Sequence, residues 1–288
     1  MTATWTVAGR AVMLDRPLVM GIVNVTPDSF SDGGIAFSRA SALERAATLV
    51  AEGADIIDIG GESTRPGAHP VSEEEEARRV LPVISAMRES HPDVLLSVDT
   101  VKSGIASAAA SAGAHIVNDV SGMRLDDRMA NVCADHGVGV VLMHSRGSVA
   151  DMATYAHAAF DGDVVDIVLE ALEARVALAT KAGIARASIA LDPGIGFGKR
   201  SAHSLRLLAC VRRFVATGFP VVIGASRKRF IGEITGEDEA RQRTFGSVGA
   251  AIAAYERGAA IVRVHDVRAT RQALDVAAAI RGAGLQGA

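Results

Sequence analysis

The segment Leu95-Leu96-Ser97-Val98-Asp99-Thr100, followed by a helical stretch to Gly113 and then by His115-Ile116-Val117-Asn118-Asp119-Val120, decides the fold. Each apolar run has the length and composition of a buried strand. The alanine-rich helical piece between them stops at Gly113, a residue type that takes positive φ at a helix end at low cost. Strand, helix and strand in immediate succession require parallel strands joined by a crossover helix. Both runs end in polar groups that their own hydrophobicity does not predict: Asp99, then Asn118 and Asp119.

Working outward, the same unit recurs along the chain. Apolar runs at Leu18–Asn24, Ala54–Gly61, Gly139–Ser145, Ser188–Gly196, Pro220–Arg227 and Ala259–Val267 bring the total to eight. Gly53, Gly137, Gly183, Gly218 and Gly258 stand with Gly113 where helices should stop. Ser41 with Glu44, and Ser72 with Glu75, have capping-box spacing, while Pro82 should kink or divide the second helix. Eight units predict an α/β fold closed as a (β/α)8 TIM barrel, a single domain over residues 1–288, in preference to an open doubly wound sheet. No Gly-x-Gly-x-x-Gly follows an early strand, which weakens a dinucleotide-binding reading. Residues 1–15 read as an N-terminal β-hairpin plugging the barrel bottom.

The bulk numbers narrow the function classes. The chain has 288 residues, 49% hydrophobic and 22% charged, with a formal net charge of -3. A general nucleic-acid binder would carry a basic excess, so any bound anion must be held by a local cluster of cations. Cys133 and Cys210 lack CxxC spacing and read as reduced, small apolar residues. The N-terminus has no signal-peptide pattern, and Ile105–Ala114 is too short and too weakly apolar to span a bilayer. The expectation is a cytoplasmic protein with no membrane partner.

The run ends lie where barrel enzymes place their sites, on the C-terminal face. Long loops follow the first, second and fifth runs, at 25–37, 62–70 and 146–163, and long strand-to-helix loops are often functional. A single buried carboxylate commonly caps a helix, but Asp99, Asn118 and Asp192 share one rim. Together they suit a flat heterocycle with adjacent amino and ring N–H donors. Arg65, Lys228, Arg263 and His265, with the hydroxyls of Thr64 and Ser226, form a cation group at the same rim. Singly each is an ordinary surface residue; in common they favour a phosphate-bearing substrate. The first run lacks a His-x-His pair and His144 and His265 stand alone, so a tightly held zinc is not expected. Asn24 suits contact with Mg²⁺ whose other ligands are substrate phosphates and water.

Several of these stretches closely resemble the motifs of the dihydropteroate synthase family. They are Met20–Gly34, Asp58–Gly67, Ser97–Thr100, Asn118–Val120, Leu191–Lys199, Ser226-Arg227-Lys228 and Arg263–Val267. The resemblance implies a (β/α)8 transferase of folate synthesis. Such an enzyme joins 4-aminobenzoate to 6-hydroxymethyl-7,8-dihydropterin diphosphate, giving 7,8-dihydropteroate and diphosphate. By matching position, Asp99, Asn118, Asp192 and Lys228 would hold the pterin, with Met143, Phe197 and Gly224 packed near it. Thr64, Arg65, Arg263 and His265 would hold the diphosphate, with Asn24 on Mg²⁺. Ser226 and the loops bearing Pro27, Phe30, Thr64 and Arg65 would line the aminobenzoate pocket. Asp99, Lys228 and Arg65 would carry the catalytic stabilisation, and the resemblance implies a homodimer.

Ser145 departs from the family pattern, where Met is expected after the Met-His pair. A folate-to-corrinoid methyltransferase barrel would need Asp99, Asn118 and Asp192 but not the diphosphate group. A non-catalytic pterin-binding paralogue is the second competing reading.

Overall fold

The computed structural model describes residues 4–26, 39–64 and 70–285. Strands β1 (Thr4–Val7) and β2 (Arg10–Met13) pair antiparallel. Ala8 and Gly9 between them both take positive φ, 46° and 75°, a two-residue turn that matches strand twist. This is the expected hairpin, with Arg10 already in its second strand.

Among the described residues, eight further strands form one parallel sheet. They are β3 (Leu18–Asn24), β4 (Ile56–Gly60), β5 (Leu95–Asp99), β6 (Ile116–Asp119), β7 (Gly139–Met143), β8 (Ile189–Asp192), β9 (Val222–Ile223) and β10 (Ile261–Val264). Their order is β8-β7-β6-β5-β4-β3-β10-β9. The seam between β9 and β8 is bridged by Leu191 and Val221 and by the Leu191 N–H donating to the Pro220 carbonyl at 2.9 Å. The sheet is a barrel, as expected.

Around it lie α1 (Arg39–Ala51), α2 (Glu73–Ser90), α3 (Ser103–Ser111), α4 (Met129–His136), α5 (Val164–Lys181), α6 (Ser201–Ala209), α7 (Val211–Val215), α8 (Arg229–Thr235), α9 (Thr244–Glu256) and α10 (Val267–Leu285). All six glycines expected at helix ends have positive φ. Ser72 caps α2, its Oγ accepting the Glu75 N–H at 3.2 Å. Glu75 turns instead to Arg79 at 2.8 Å, so the capping box is only half made.

Three local expectations are corrected. Pro82 does not divide α2, which runs unbroken with Val80, Val83, Ile84 and Met87 buried on both sides of it; packing against the barrel outweighs the lost hydrogen bond. Ser41 lies inside α1, which already includes Arg39. The seventh strand, expected over Pro220–Arg227, is only two residues long.

The core has two layers. Outside the barrel, the outward strand residues pack against the helices. Inside, at the N-terminal end, Leu18, Met20, Ile56, Leu95, Ile116, Val141, Ala190, Val222 and Ile261 form one cluster with Trp5 and Val7 of the hairpin. Trp5 is fully buried, and its Nε1–H donates to the Ser188 carbonyl at 3.0 Å. Hairpin and strand residues together fill the barrel bottom. The upper mouth is left for polar side chains.

Candidate active site

Side chains of a strand alternate between faces with a period of two. Counting upward from the inner cluster, Met20 leads to Ile22 and Asn24, and Ile56 to Asp58. Leu95 leads to Ser97 and Asp99, Ile116 to Asn118, Val141 to Met143, and Ala190 to Asp192. Val222 leads to Gly224 and Ser226, and Ile261 to Arg263 and His265. Nearly every residue expected at the rim therefore shares the barrel's inner face. Asp119 does not. It is buried on the outer side, where its carboxylate accepts the Ser121 N–H at 2.7 Å and the Met123 N–H at 2.9 Å; its role is to shape the turn after β6.

The inner groups form one network. Arg263 Nε donates to Asp58 Oδ2 at 2.6 Å, and Arg263 Nη2 to Asp99 Oδ2 at 2.6 Å. Asn118 Nδ2 donates to the same Asp58 oxygen at 3.0 Å. Asp58 is fully buried, and its Oδ1 has no hydrogen-bond partner. Burial pushes Asp99 up to about 7; Arg263 pulls the other way and the Asp58 carboxylate adds to the rise. Burial opposes the charge on Arg263, but Asp58 and Asp99 beside it prevail and raise its pKa.

Asp58 lies in mid-run, so a reading of run ends passes over it. Its signal in the sequence is a carboxylate inside Ile56-Ile57-Asp58-Ile59, which a strand buried on both faces does not tolerate without a partner.

Across the mouth, Asp192 Oδ1 accepts the Gly194 N–H at 2.7 Å, and burial pushes Asp192 up to about 6. Gly194 has φ 71°, and a Cβ there would lie 2.0 Å from the His144 carbonyl oxygen, so only glycine closes this turn. Lys228 Nζ sits 3.9 Å above the Phe197 ring, a cation–π contact. Burial lowers Lys228 to about 8, and Arg263 adds to the fall. Met143 and Phe197 pack with Val101, Val120 and Met152 as a small apolar wall.

His144, to which the sequence assigns no role, is a neutral acceptor. Burial and then Lys199 lower it to about 2, and Lys199 Nζ lies 2.9 Å from its Nδ1. Lys199 also donates to the carbonyls of His144 at 3.2 Å and Phe197 at 3.0 Å. This buried tripod joins the ends of β7 and β8, the walls carrying Met143, Asp192 and Phe197. Lys199 closes the Leu191–Lys199 motif, but its task becomes visible only with His144 beside it.

Ser226 Oγ lies 3.0 Å from His265 Nδ1. Thr64 follows β4 at the same end of the barrel and is partly buried. Lys102 ties Glu62 (3.0 Å) to the buried Glu76, bracing the start of the loop that carries Thr64. Pro27, Phe30 and Arg65 lie outside the described residues. Asn24, at the tip of β3, is a neutral oxygen donor. Among the described residues no group of three or more His, Cys, Asp or Glu is gathered as a metal site. That donor set suits Mg²⁺ carried chiefly by substrate oxygens and water, not an ion held by the protein alone. Cys133 is a free thiol in the core, pushed up to about 12 by burial. No helix of the described residues is long and apolar enough to cross a membrane.

Residues 20–265 match the model of the pterin binding enzyme family. The chain is 47% identical over 271 residues to a dihydropteroate synthase of Neisseria meningitidis serogroup C, covering 93% of this chain and 94% of that protein. It is 40% identical over 279 residues to a Mycobacterium bovis protein named inactive dihydropteroate synthase 2, covering 96% and 87% respectively. Among solved structures, Xanthomonas albilineans dihydropteroate synthase in complex with 7,8-dihydropteroate is 44% identical with a TM-score of 0.86, covering 96% of this chain and 98% of that one.

Proposed function

The chain belongs to the pterin binding enzyme family, among the dihydropteroate synthases, and from that premise we propose how its own residues carry the reaction. It is a transferase that condenses 6-hydroxymethyl-7,8-dihydropterin diphosphate with 4-aminobenzoate to give 7,8-dihydropteroate and diphosphate. The single observation carrying this reading is the polar inner mouth. Carboxylates and an amide (Asp58, Asp99, Asn118 and Asp192) face cations (Lys228 and Arg263) above a plugged apolar base.

The pterin enters edge-on. Its amino group and ring N–H face Asp192, with Asn118 donating and accepting beside it. A methyl at residue 224 would stand 3.8 Å from Asp192 Oδ2, so Gly224 keeps the approach to that oxygen open. Phe197 and Met143 close the apolar face, and Lys228, poised over Phe197, lies along the pterin. Arg263 uses Nε and Nη2 on Asp58 and Asp99, which leaves Nη1 for an anion. With Thr64, Arg65 and His265 it takes the diphosphate.

The C–O bond between the pterin methylene and the diphosphate breaks first, and its electron pair leaves with the diphosphate. Asp99 stabilises the electron-deficient pterin that remains. The aminobenzoate nitrogen then attacks the methylene carbon and loses a proton. Ser226 and the segments bearing Pro27, Phe30, Thr64 and Arg65 line the aminobenzoate pocket. Asn24 would hold a Mg²⁺ whose other ligands are substrate oxygens and water, and the ion would add positive charge beside the diphosphate. The cation group beside the carboxylates favours this reading over methyl transfer to a corrinoid, which has no diphosphate to release.

Purified protein with both substrates and Mg²⁺ is expected to release dihydropteroate and diphosphate in equal amounts. Chelation of Mg²⁺ should stop turnover. Binding of the pterin diphosphate with no dihydropteroate formed would instead make the chain a non-catalytic relative. All of residues 1–288 act as one domain in this proposal, and two copies assemble as a homodimer. The supporting observation is exposed apolar surface on α8–α10: Phe245 is 90% exposed, and Ile234, Val276 and Ile280 exceed 60%. Sedimentation equilibrium should give twice the chain mass; a monomer would remove this part of the proposal.

A further inference from the structure

We propose that Arg227 and Asp266 form a clasp that positions Lys228, Ser226 and His265 for the condensation. This inference rests on the function proposed above. Neither residue is on the barrel's inner face, and each acts through its neighbours.

The need for a clasp comes from the sheet. Backbone pairing between β9 and β10 covers only Val222 with Ile261 and Ile223 with Val262. The residues that matter, Ser226 and Lys228 on one side and His265 on the other, lie beyond the last paired position. Side chains replace the missing ladder. Arg227 Nε donates to Asp266 Oδ2 at 3.0 Å, and Arg227 Nη2 to Asp266 Oδ1 at 2.6 Å. Such a parallel fork fixes angle as well as distance. One residue earlier in each segment, Ser226 Oγ accepts the His265 N–H at 3.2 Å and lies 3.0 Å from His265 Nδ1.

The backbone at Arg227 supports the same reading. Its φ is 60°, a left-handed conformation that a non-glycine residue keeps only when its surroundings over-determine it. They do so here. The Arg227 N–H donates to Ser247 Oγ at 2.9 Å, and its carbonyl accepts Arg243 Nη1 at 3.1 Å. Ser247 Oγ in turn donates to the Arg243 carbonyl at 2.7 Å. This reversal is what returns the next residue, Lys228, to the Phe197 face. An arginine whose only task was a surface ion pair would not need it.

The test uses the whole protein with Asp266→Asn and Arg227→Lys, which keep side-chain size while removing the charge or the fork. Two quantities are read: amide hydrogen exchange of the peptide spanning 224–230, and kcat/KM for the pterin diphosphate. Expected are faster exchange in that peptide and a fall in kcat/KM of about 100-fold, as for a small misplacement of reacting groups. Arg227→Lys, retaining one bond, should lose less, and the double variant should be no worse than Asp266→Asn. Thermal unfolding should stay close to that of the unsubstituted protein. Faster exchange with unchanged turnover would overturn the proposal, as would unchanged exchange. If the unsubstituted protein itself makes no dihydropteroate, the proposed function fails separately. The clasp is then read by calorimetry with inorganic diphosphate: weaker binding in Asp266→Asn supports it, and equal binding overturns it.

Discussion

Arg263→Ala is expected to abolish measurable condensation and to destabilise the fold by about 3–5 kcal/mol, the cost of stripping one partner from a buried ion pair. A domain stability of roughly 5–15 kcal/mol makes that a large share of the whole. The reason lies in Asp58, which is fully buried. One of its oxygens accepts both Arg263 and Asn118, and the other has no partner. Without the guanidinium, the carboxylate keeps a single neutral donor. Asp99 loses its counter-charge at the same time.

The deficit should also depend on pH. Asp99 already stands at about 7 in the folded protein, above its ordinary 3.8, and removing Arg263 raises it further. A carboxylate raised on folding contributes stability at low pH that is lost as pH rises through the folded value. Arg263→Ala should therefore fall furthest behind the unsubstituted protein at pH 8 and least at pH 6. Adding Asp58→Asn should recover much of the stability and none of the turnover. Urea melts of the three proteins at both pH values decide the matter. A single variant that melts normally would show that Arg263 does not hold the carboxylates.

The barrel was legible because its signal is local. A run such as Leu95–Asp99 with Gly113 before His115 reports strand, helix and direction without tertiary information. The rim was legible for a related reason: a polar residue closing an apolar run gains nothing from burial, so it is there for a partner or a ligand. What stayed hidden depends on phase and on neighbours. Asn118 and Asp119 look equivalent as letters, yet the period-two alternation sends one inward and the other into the turn after β6. Asp58 sits in mid-run, and its acceptability depends on Arg263, 205 positions away. Val221-Val222-Ile223 reads like the other strands; that its pairing with β10 ends at Ile223 is set by the neighbouring strand and not by its own letters. His144 and Lys199 explain each other only once β7 and β8 lie side by side.

Lys228→Ala is expected to cost about 10²–10³ in kcat/KM, the loss typical of one preorganised charge contact, and to leave the fold at least as stable. The contrast with Arg263 follows from partnership. Among the described residues no carboxylate lies within ion-pair distance of Lys228 Nζ, whose close contact is the Phe197 ring at 3.9 Å. Burial and the nearby Arg263 charge hold it down to about 8 from an ordinary 10.5. The unfolded chain thus binds more protons between these values, so stability should rise with pH from about 8 to about 10. Lys228→Ala should lack that rise. Activity runs in the opposite direction. kcat/KM reports the free enzyme's ionisations, and only the ammonium form can stabilise diphosphate departure, so the rate should fall as pH passes about 8. Lys228→Arg keeps its charge throughout this range and should lose the alkaline fall even where its rate at pH 7 is lower. A rate profile for Lys228→Arg that still drops near pH 8 would assign the ionisation to another group and remove Lys228 from the charge-stabilising role.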